Sequence, residues 1–328
     1  MKLKRLLSIA VSVAILLIIY SKIDFRGLFD VFRNSDSFWM TISLGMVIPI
    51  TLVTSWRLQQ LMPHGTSLGF LEANRLILAA STLNMVLPSK MGDIAKAYFM
   101  RERGHLSGSL SLSLVVFEKT CDMLSLLLWC VFGLILYPQK DLLFWVMTIG
   151  VGAGLVLGLL LLGSHRFAAV FFLIAKRIAP KKLKIKIEKF QASWKEMHDY
   201  FWQDKAQLTK ISLTSIFIWF LHLLQIWFFI LALKASVPFL VNLALSPLAI
   251  LAGLLPLTFA GVGTRDAALI LFYQPYFAAA TGAALGLLCT SRYFLPAIGG
   301  LPFLGQFLAA VRRSKQAEEL PEYRNVNP

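Results

Sequence analysis

Asn84-Met85-Val86-Leu87-Pro88-Ser89-Lys90-Met91-Gly92-Asp93 interrupts an apolar run with a proline, a glycine and three polar or charged groups. A mixed stretch, Ile94 to Arg103, follows it. A second stretch echoes it far downstream: Leu255-Pro256-Leu257-Thr258-Phe259-Ala260-Gly261-Val262-Gly263-Thr264-Arg265-Asp266. Each reads as an apolar arm, Leu-Pro, glycine, then a charged turn. Proline and glycine end helices, so each stretch predicts two helical arms joined by a break. Irregular backbone at membrane depth is tolerated only where it is buried in protein or lines a wet cavity.

The surroundings make a membrane setting the natural one. The 328 residues are 57% hydrophobic and 15% charged, with mean hydropathy +0.70. Soluble domains carry about a quarter charged residues. The net charge of +15 raises nucleic acid as a partner. The basic residues, however, lie between apolar runs, as membrane topology requires, and no basic module with interleaved aromatics is present. No nucleic-acid partner is expected. Cys121, Cys130 and Cys289 all fall inside apolar runs. Neither a CxxC pair nor a metal-spaced Cys/His cluster is evident, so neither metal nor other cofactor is expected.

Working outward predicts six crossings and two hairpins. Helix one, about Leu6 to Tyr20, follows Lys2, Lys4 and Arg5 and lacks a small-x-small cleavage site; it reads as uncleaved and starts in the cytoplasm. Residues 21–37 balance three basic against three acidic groups, which suits the outer side. Helix two is about Phe38 to Trp56 with a kink at Pro49, and Arg57 marks its return to the inside. Leu58 to Phe70 reads as interfacial. The first hairpin spans 71–103 and enters from the cytoplasm. Helix three, Leu110 to Tyr137, carries Glu118, Lys119 and Asp122, with Glu118 and Asp122 on one face. Helix four, Leu142 to Gly163, holds Gly150, Gly152, Gly154 and Gly158 for close packing.

His165 to Lys210 contains eleven Lys/Arg against four Asp/Glu, with interspersed Phe and Trp. It predicts cytoplasmic helices lying on anionic lipid. Helix five is about Ile211 to Leu233 and includes His222, expected to be a packing histidine. Lys234 to Asn242 reads as an outer loop, and the second hairpin spans 243–273. Helix six lies within Tyr276 to Val311, carries Arg292, and is broken by Pro296, Gly299, Gly300 and Pro302; hydropathy alone does not decide between one crossing and three. The expected fold class is an all-α polytopic membrane helix bundle with two re-entrant or broken hairpins. The expected organisation is a first membrane repeat at 1–137, a second at 138–311 and a cytoplasmic tail at 312–328. Counting crossings makes the two repeats inverted, the arrangement that places a site near the bilayer midplane.

The two motifs, Asn84-x-x-Leu87-Pro88-Ser89-x-x-Gly92-Asp93 with Lys96, and Leu255-Pro256-x(4)-Gly261-x-Gly263-x-Arg265-Asp266, resemble the lysylphosphatidylglycerol synthase transmembrane-region family, also described as flippase-like. Phe117-Glu118-Lys119-Thr120-Cys121-Asp122 is similar to its Arg-x-x-Asp region, and Arg292-Tyr293 to its late Arg-Tyr pair. The family includes the membrane half of the multiple peptide resistance factor and relatives tied to polyprenyl-lipid or hopanoid pathways. The resemblance runs over about 5 to 311. Lys90 and Lys96 stand where members often carry Arg, and Asp266 where they often carry Glu, which keeps the charge but changes geometry and reach. The soluble aminoacyl-transfer domain is not expected in these 328 residues, and with it no enzyme activity.

Ionisable groups at membrane depth cost roughly 2.5–3.5 kcal/mol each on insertion scales, so they tend to be paired or functional. The candidate headgroup groove comprises Asn84, Pro88, Lys90, Gly92, Asp93, Lys96, Glu118, Asp122, Pro256, Gly261, Gly263, Arg265, Asp266 and Arg292. Its cations would attract a lipid phosphate, and its carboxylates would hold the cations. The alternative for Asp93 and Lys96 is a cap and ion pair on the hairpin, and for Glu118, Lys119 and Asp122 a structural ion network. The reading is a lipid translocator in a bacterial or archaeal cytoplasmic (inner) membrane, both termini inside, with an anionic phospholipid or a polyprenyl-phosphate lipid as partner. A homo-oligomer or a pathway protein is a further candidate partner. The alternatives are a non-transporting scaffold of a lipid or glycan pathway and an intramembrane enzyme on a lipid phosphate.

Overall fold

In the computed structural model the described residues are 25–63, 66, 68–86, 92–104, 106–137, 140–178, 181–254 and 263–305. Among them the chain is helical, with no strand. In order the helices are α1 (Phe25–Arg33), α2 (Ser37–Gly45), α3 (Val47–Gln60), α4 (Phe70–Val86), α5 (Gly92–Gly104), α6 (Gly108–Leu136) and α7 (Leu142–Gly163). There follow α8 (His165–Ile178), α9 (Lys181–Gln203), α10 (Lys205–Ala232), α11 (Phe239–Leu254), α12 (Thr264–Tyr273), α13 (Ala279–Ser291) and α14 (294–305). Helix one and the tail from 306 lie outside the described residues.

Short polar side chains start many of these helices by accepting from orphan backbone N–H groups. Asp36 Oδ1 accepts from Phe38 N at 2.9 Å, Asp141 Oδ1 from Phe144 N at 2.9 Å, and Asp204 Oδ1 from Gln207 N at 3.0 Å. Among the described residues, five helical segments have the length and composition to cross a membrane: Ser37–Gln60, Gly108–Leu136, Leu142–Gly163, Lys205–Ala232 and Ala279–Gly305. They coincide with helices two to six of the sequence reading, and Tyr276 to Val311 contributes one of them. The fold is that of an all-α, multi-pass membrane bundle. α7 leaves Leu142, Val146, Ile149, Val156 and Leu159 exposed, the surface a lipid-facing helix presents.

The chain forms two compact units. The first comprises the described residues up to Ile50, Asp122–Leu159 and Thr214–Phe294. Its core includes Leu126, Phe229, Leu269, Tyr273 and Ala284. α11 packs on α12, and α12 on α13, while α1 packs on α13. Gly154 and Gly158 of α7 do provide close packing: an added Cβ would stand 3.0 Å from Leu127 Cδ1 and 2.7 Å from Leu124 Cδ2. Gly150 and Gly152 do not, since nothing lies within 4 Å of either. The second unit comprises Thr51–Cys121, Leu160–Leu213 and the described residues from Leu295 onward. Its core includes Leu58, Leu76, Phe99, Leu114 and Phe201, with α4 packed on α5 and α8 on α9. Phe117 stacks on Phe201 with centroids 4.6 Å apart.

Four local expectations are corrected. Helix two breaks at Met46 rather than at Pro49 itself: Pro49 sits in the first turn of α3 and obstructs the carbonyl of Gly45, so the kink expected from it falls one turn ahead. The 58–70 stretch is not merely interfacial: Leu58 and Leu61 are fully buried in the second core. Asn242 is not in an outer loop but inside α11, because buried polar partners satisfy its amide. In the last span the break falls at Arg292–Tyr293, and Pro296, Gly299, Gly300 and Pro302 all lie within α14. A helical proline obstructs the carbonyl four residues earlier, and for Pro296 that carbonyl belongs to Arg292. Gly300 serves close approach: a Cβ there would stand 2.1 Å from Leu78 O and 2.3 Å from Thr82 Oγ1. Thr82 Oγ1 donates to Ala297 O at 2.6 Å across the same contact.

Candidate functional site

Both motifs appear as helical hairpins whose tips lie in part outside the described residues. Pro88 and Lys90 of the first motif, and Pro256 and Gly261 of the second, lie outside the described residues.

In the second unit, α4 and α5 meet where Gly92 opens α5. A Cβ on Gly92 would stand 2.3 Å from Ala80 O and 2.8 Å from Asn84 N, so only glycine allows this approach. The Asn84 Oδ1 atom is buried there without a hydrogen-bond partner among the described residues. Asp93 and Lys96, three apart on α5, face Glu118 and Lys119 of α6 in a crossed pairing. Lys119 Nζ lies 3.3 Å from Asp93 Oδ2, both partly exposed. Lys96 Nζ donates to Glu118 Oε2, and Arg57 Nη2 donates to Glu118 Oε1 at 2.8 Å. Glu118 is 1% exposed. A carboxylate so placed is stable only as an ion, clasped by two cations, since an unpaired charge would bear the full cost of desolvation. Lys96 pairs with Glu118 and not with Asp93. Glu118 and Lys119 of α6 thus hold the hairpin arm α5, as the ion-network alternative supposes. Asp122, one turn beyond Glu118, is half-buried.

Arg57 completes this cluster, and sequence reasoning missed it. At the end of an apolar run an arginine reads as a topology marker, and nothing local distinguishes one that turns inward.

In the first unit, Gly263 precedes α12 with φ 101°, a backbone conformation that glycine alone adopts readily. Gly263 N donates to Asp266 Oδ2 at 3.2 Å, so Asp266 closes the first turn of α12. Its other oxygen accepts from Arg265 Nε at 3.0 Å and Nη2 at 2.7 Å. The guanidinium also reaches Gly286 O at 3.1 Å and Thr290 Oγ1 at 2.6 Å on α13. Gly286 makes room for this: its Cβ would lie 2.9 Å from Asp266 Cγ. Arg265 and Asp266 are therefore a neutral, buried pair bolted to α13.

Arg292 differs. It is 4% exposed. Nη1 donates to Gln225 Oε1 at 3.4 Å and Nη2 to the Tyr293 hydroxyl at 3.2 Å, and Cζ lies 5.1 Å from the Tyr293 ring centroid. Its Nε has no hydrogen-bond partner among the described residues. Among the described residues no carboxylate forms a salt bridge with it. Gln225 is fixed from behind by its Nε2, which donates to Ser43 O at 2.9 Å. Behind this site, Asn242 donates to Leu223 O at 2.9 Å and accepts from Ser246 and Tyr273 at 2.9 and 3.1 Å. His222 packs on Trp219 with centroids 5.6 Å apart.

Elsewhere in the second unit His165 and His198 come together with Asp199, although spacing alone had suggested no histidine cluster. Burial and the neighbouring His165 hold the His198 pKa below its usual 6.5, against the pull of Asp199.

Among curated proteins, none matches this chain. The profile of the family described as lysylphosphatidylglycerol synthase TM region matches residues 5–300, nearly the whole chain. With two motif hairpins joined by buried charge to neighbouring helices, the chain belongs to the lysylphosphatidylglycerol synthase transmembrane-region family.

Proposed function

We propose that this membrane protein moves an anionic lipid, a phospholipid or a polyprenyl-phosphate lipid, between leaflets. The observation that carries the reading is Arg292, a buried guanidinium with an unpartnered Nε and no carboxylate among the described residues. A charge held this way is costly unless an anion visits it. A lipid phosphate offers the planar fork two oxygens at once, with the tails left in the bilayer. Arg265 is already neutralised by Asp266, so among the described arginines of the first unit's motif region Arg292 has capacity for a headgroup. Asn84, Gly92, Asp93, Lys96, Glu118 and Asp122 then serve to hold the first hairpin in shape, and Gly263 the second.

In this reading the hairpins are re-entrant from opposite faces and the 1–137 and 138–311 segments are inverted repeats that rock in alternation. The basic α8–α9 pair faces the cytoplasm of an inner membrane, as do both termini. Labelling of single cysteines at Ser89 and Thr264 from one face only would end the inverted arrangement.

The central test is translocation of fluorescent anionic phospholipid and polyprenyl-phosphate lipid in proteoliposomes. A hydrogen bond to a charged group contributes about 1.5–3 kcal/mol, so Arg292→Gln should weaken headgroup capture roughly 10- to 150-fold. Arg292→Lys should retain part of the activity. Transport undiminished in Arg292→Gln would remove this site from the route, and absence of transport across the lipid panel would favour the scaffold reading.

A further inference from the structure

The His165–His198–Asp199 cluster takes no part in the lipid reading. His165 stands in the first turn of α8, and His198 and Asp199 near the end of α9. One donor atom from each residue lies within 4.8 Å of the others. His165 Nε2 is 2.7 Å from Asp199 Oδ1, and His198 Nδ1 is 4.0 Å from the same oxygen. The imidazole centroids are 3.7 Å apart.

The second observation is His198 itself. It is 5% exposed, and among the described residues neither ring nitrogen has a hydrogen-bond partner of normal geometry. The Leu162 carbonyl accepts from Trp202 Nε1 at 2.8 Å and favours the protonated His198 ring, but it makes no hydrogen bond of normal geometry to either ring nitrogen. Trp202 stacks on the His198 ring at 5.7 Å and offers it no acceptor. Buried imidazole nitrogens are ordinarily satisfied, and a metal ion is one of the partners that can satisfy them.

We propose that His165, His198 and Asp199 form a binding site for a divalent first-row transition ion, with zinc as the reference, that pins α8 to α9. Two imidazoles and one carboxylate are three of the four donors of a tetrahedral zinc site, and the fourth position falls to water. Metal–ligand bonds of 2.0–2.1 Å set neighbouring donors about 3.3 Å apart, so the His165–Asp199 hydrogen bond opens slightly and His198 closes in. Arg166 and Lys195 line the adjoining groove. Net charge therefore does not draw the cation, and imidazole ligation does. That selects zinc, cobalt, nickel or copper over magnesium or calcium.

The test uses the full chain in detergent, purified through a non-histidine tag and stripped with chelator. Zinc is titrated in competition with a chromophoric chelator, and cobalt is added to read tetrahedral d–d bands. One ion per chain is expected, with zinc raising the melting temperature. Outer partners of a metal ligand are already worth 10- to 100-fold, so His165→Gln and Asp199→Asn should each weaken binding by about 100-fold or more. Both side chains are 43–44% exposed, so neither change threatens the fold. His198→Phe, which keeps the stack on Trp202, should abolish binding, and Lys195→Ala should retain it. A wild-type protein that cannot compete with the chelator, or undiminished binding in His165→Gln and Asp199→Asn, overturns the site, as does an equal loss in Lys195→Ala. None of these readouts depends on lipid transport.

Discussion

Glu118→Gln is the sharpest perturbation of the ion cluster in the second unit. The carboxylate is 1% exposed and receives Arg57 at 2.8 Å together with Lys96, itself 1% exposed. Glutamine keeps the volume and one accepting oxygen but removes the charge. Two cations then share a buried site with no counter-ion inside the trio. Removing one partner of a buried pair costs about 3–5 kcal/mol, and the loss of one carboxylate shared by two cations places the expectation at the upper end. On the conversion for folded domains this is a drop in melting temperature on the order of 10 °C. The assay is intrinsic tryptophan fluorescence of detergent-solubilised protein during heating, paired with size exclusion. The control is Glu118→Gln combined with Lys96→Met, which removes one stranded charge while keeping an unbranched chain. The double variant should be more stable than Glu118→Gln alone. A single variant within about 0.5 kcal/mol of wild type, the range of an ordinary surface change, refutes the reasoning. So does a double variant no better than the single.

Asp266→Asn should destabilise the first unit by about 3–5 kcal/mol, because Arg265 loses its only ion-pair partner among the described residues; Arg265→Met in that background should recover part of it in the same melt. Gly300→Ala should cost about 1–3 kcal/mol by overpacking against Leu78 O, while Gly150→Ala, with open space around it, should stay within about 0.5 kcal/mol; equal melting temperatures for the two would contradict the packing. Asn242→Ala should cost about 1–3 kcal/mol by leaving Leu223 O, Ser246 and Tyr273 short of a partner, read as faster hydrogen exchange along α11 and α12.

The crossings were legible because long apolar runs have few alternatives in water or lipid. The hairpins were legible because Leu-Pro followed by glycine and aspartate writes arm, break and helix start in local chemistry. Pairing was not. Lys96 has Asp93 three residues away on its own helix, yet it bonds Glu118 on α6, since tertiary packing aims it. Arg57 looks like any arginine closing a membrane helix. Asn242 follows a polar loop and reads as its end, and only Leu223 O and Tyr273 make it a helix residue. The break at Arg292 lies one turn ahead of the proline associated with it. His165 and His198 are too far apart in sequence for spacing to join them.

The two buried ion clusters also differ in when they can form. Arg265 and Asp266 are adjacent in the chain, so their charges cancel as soon as the second hairpin is synthesised. A segment that presents a neutral pair escapes much of the roughly 2.5–3.5 kcal/mol that each lone charge meets at the insertion machinery. Lys96 and Arg57 must wait for Glu118, 22 and 61 residues further along the chain. Those partners precede it during synthesis, and their loops must close before any charge is neutralised. The first motif thus enters the membrane with its electrostatics unsettled and is completed by assembly, whereas the second enters with its central pair made. Biogenesis of this protein should therefore be most sensitive, early in membrane insertion, to changes at Arg57, Lys96 and Glu118.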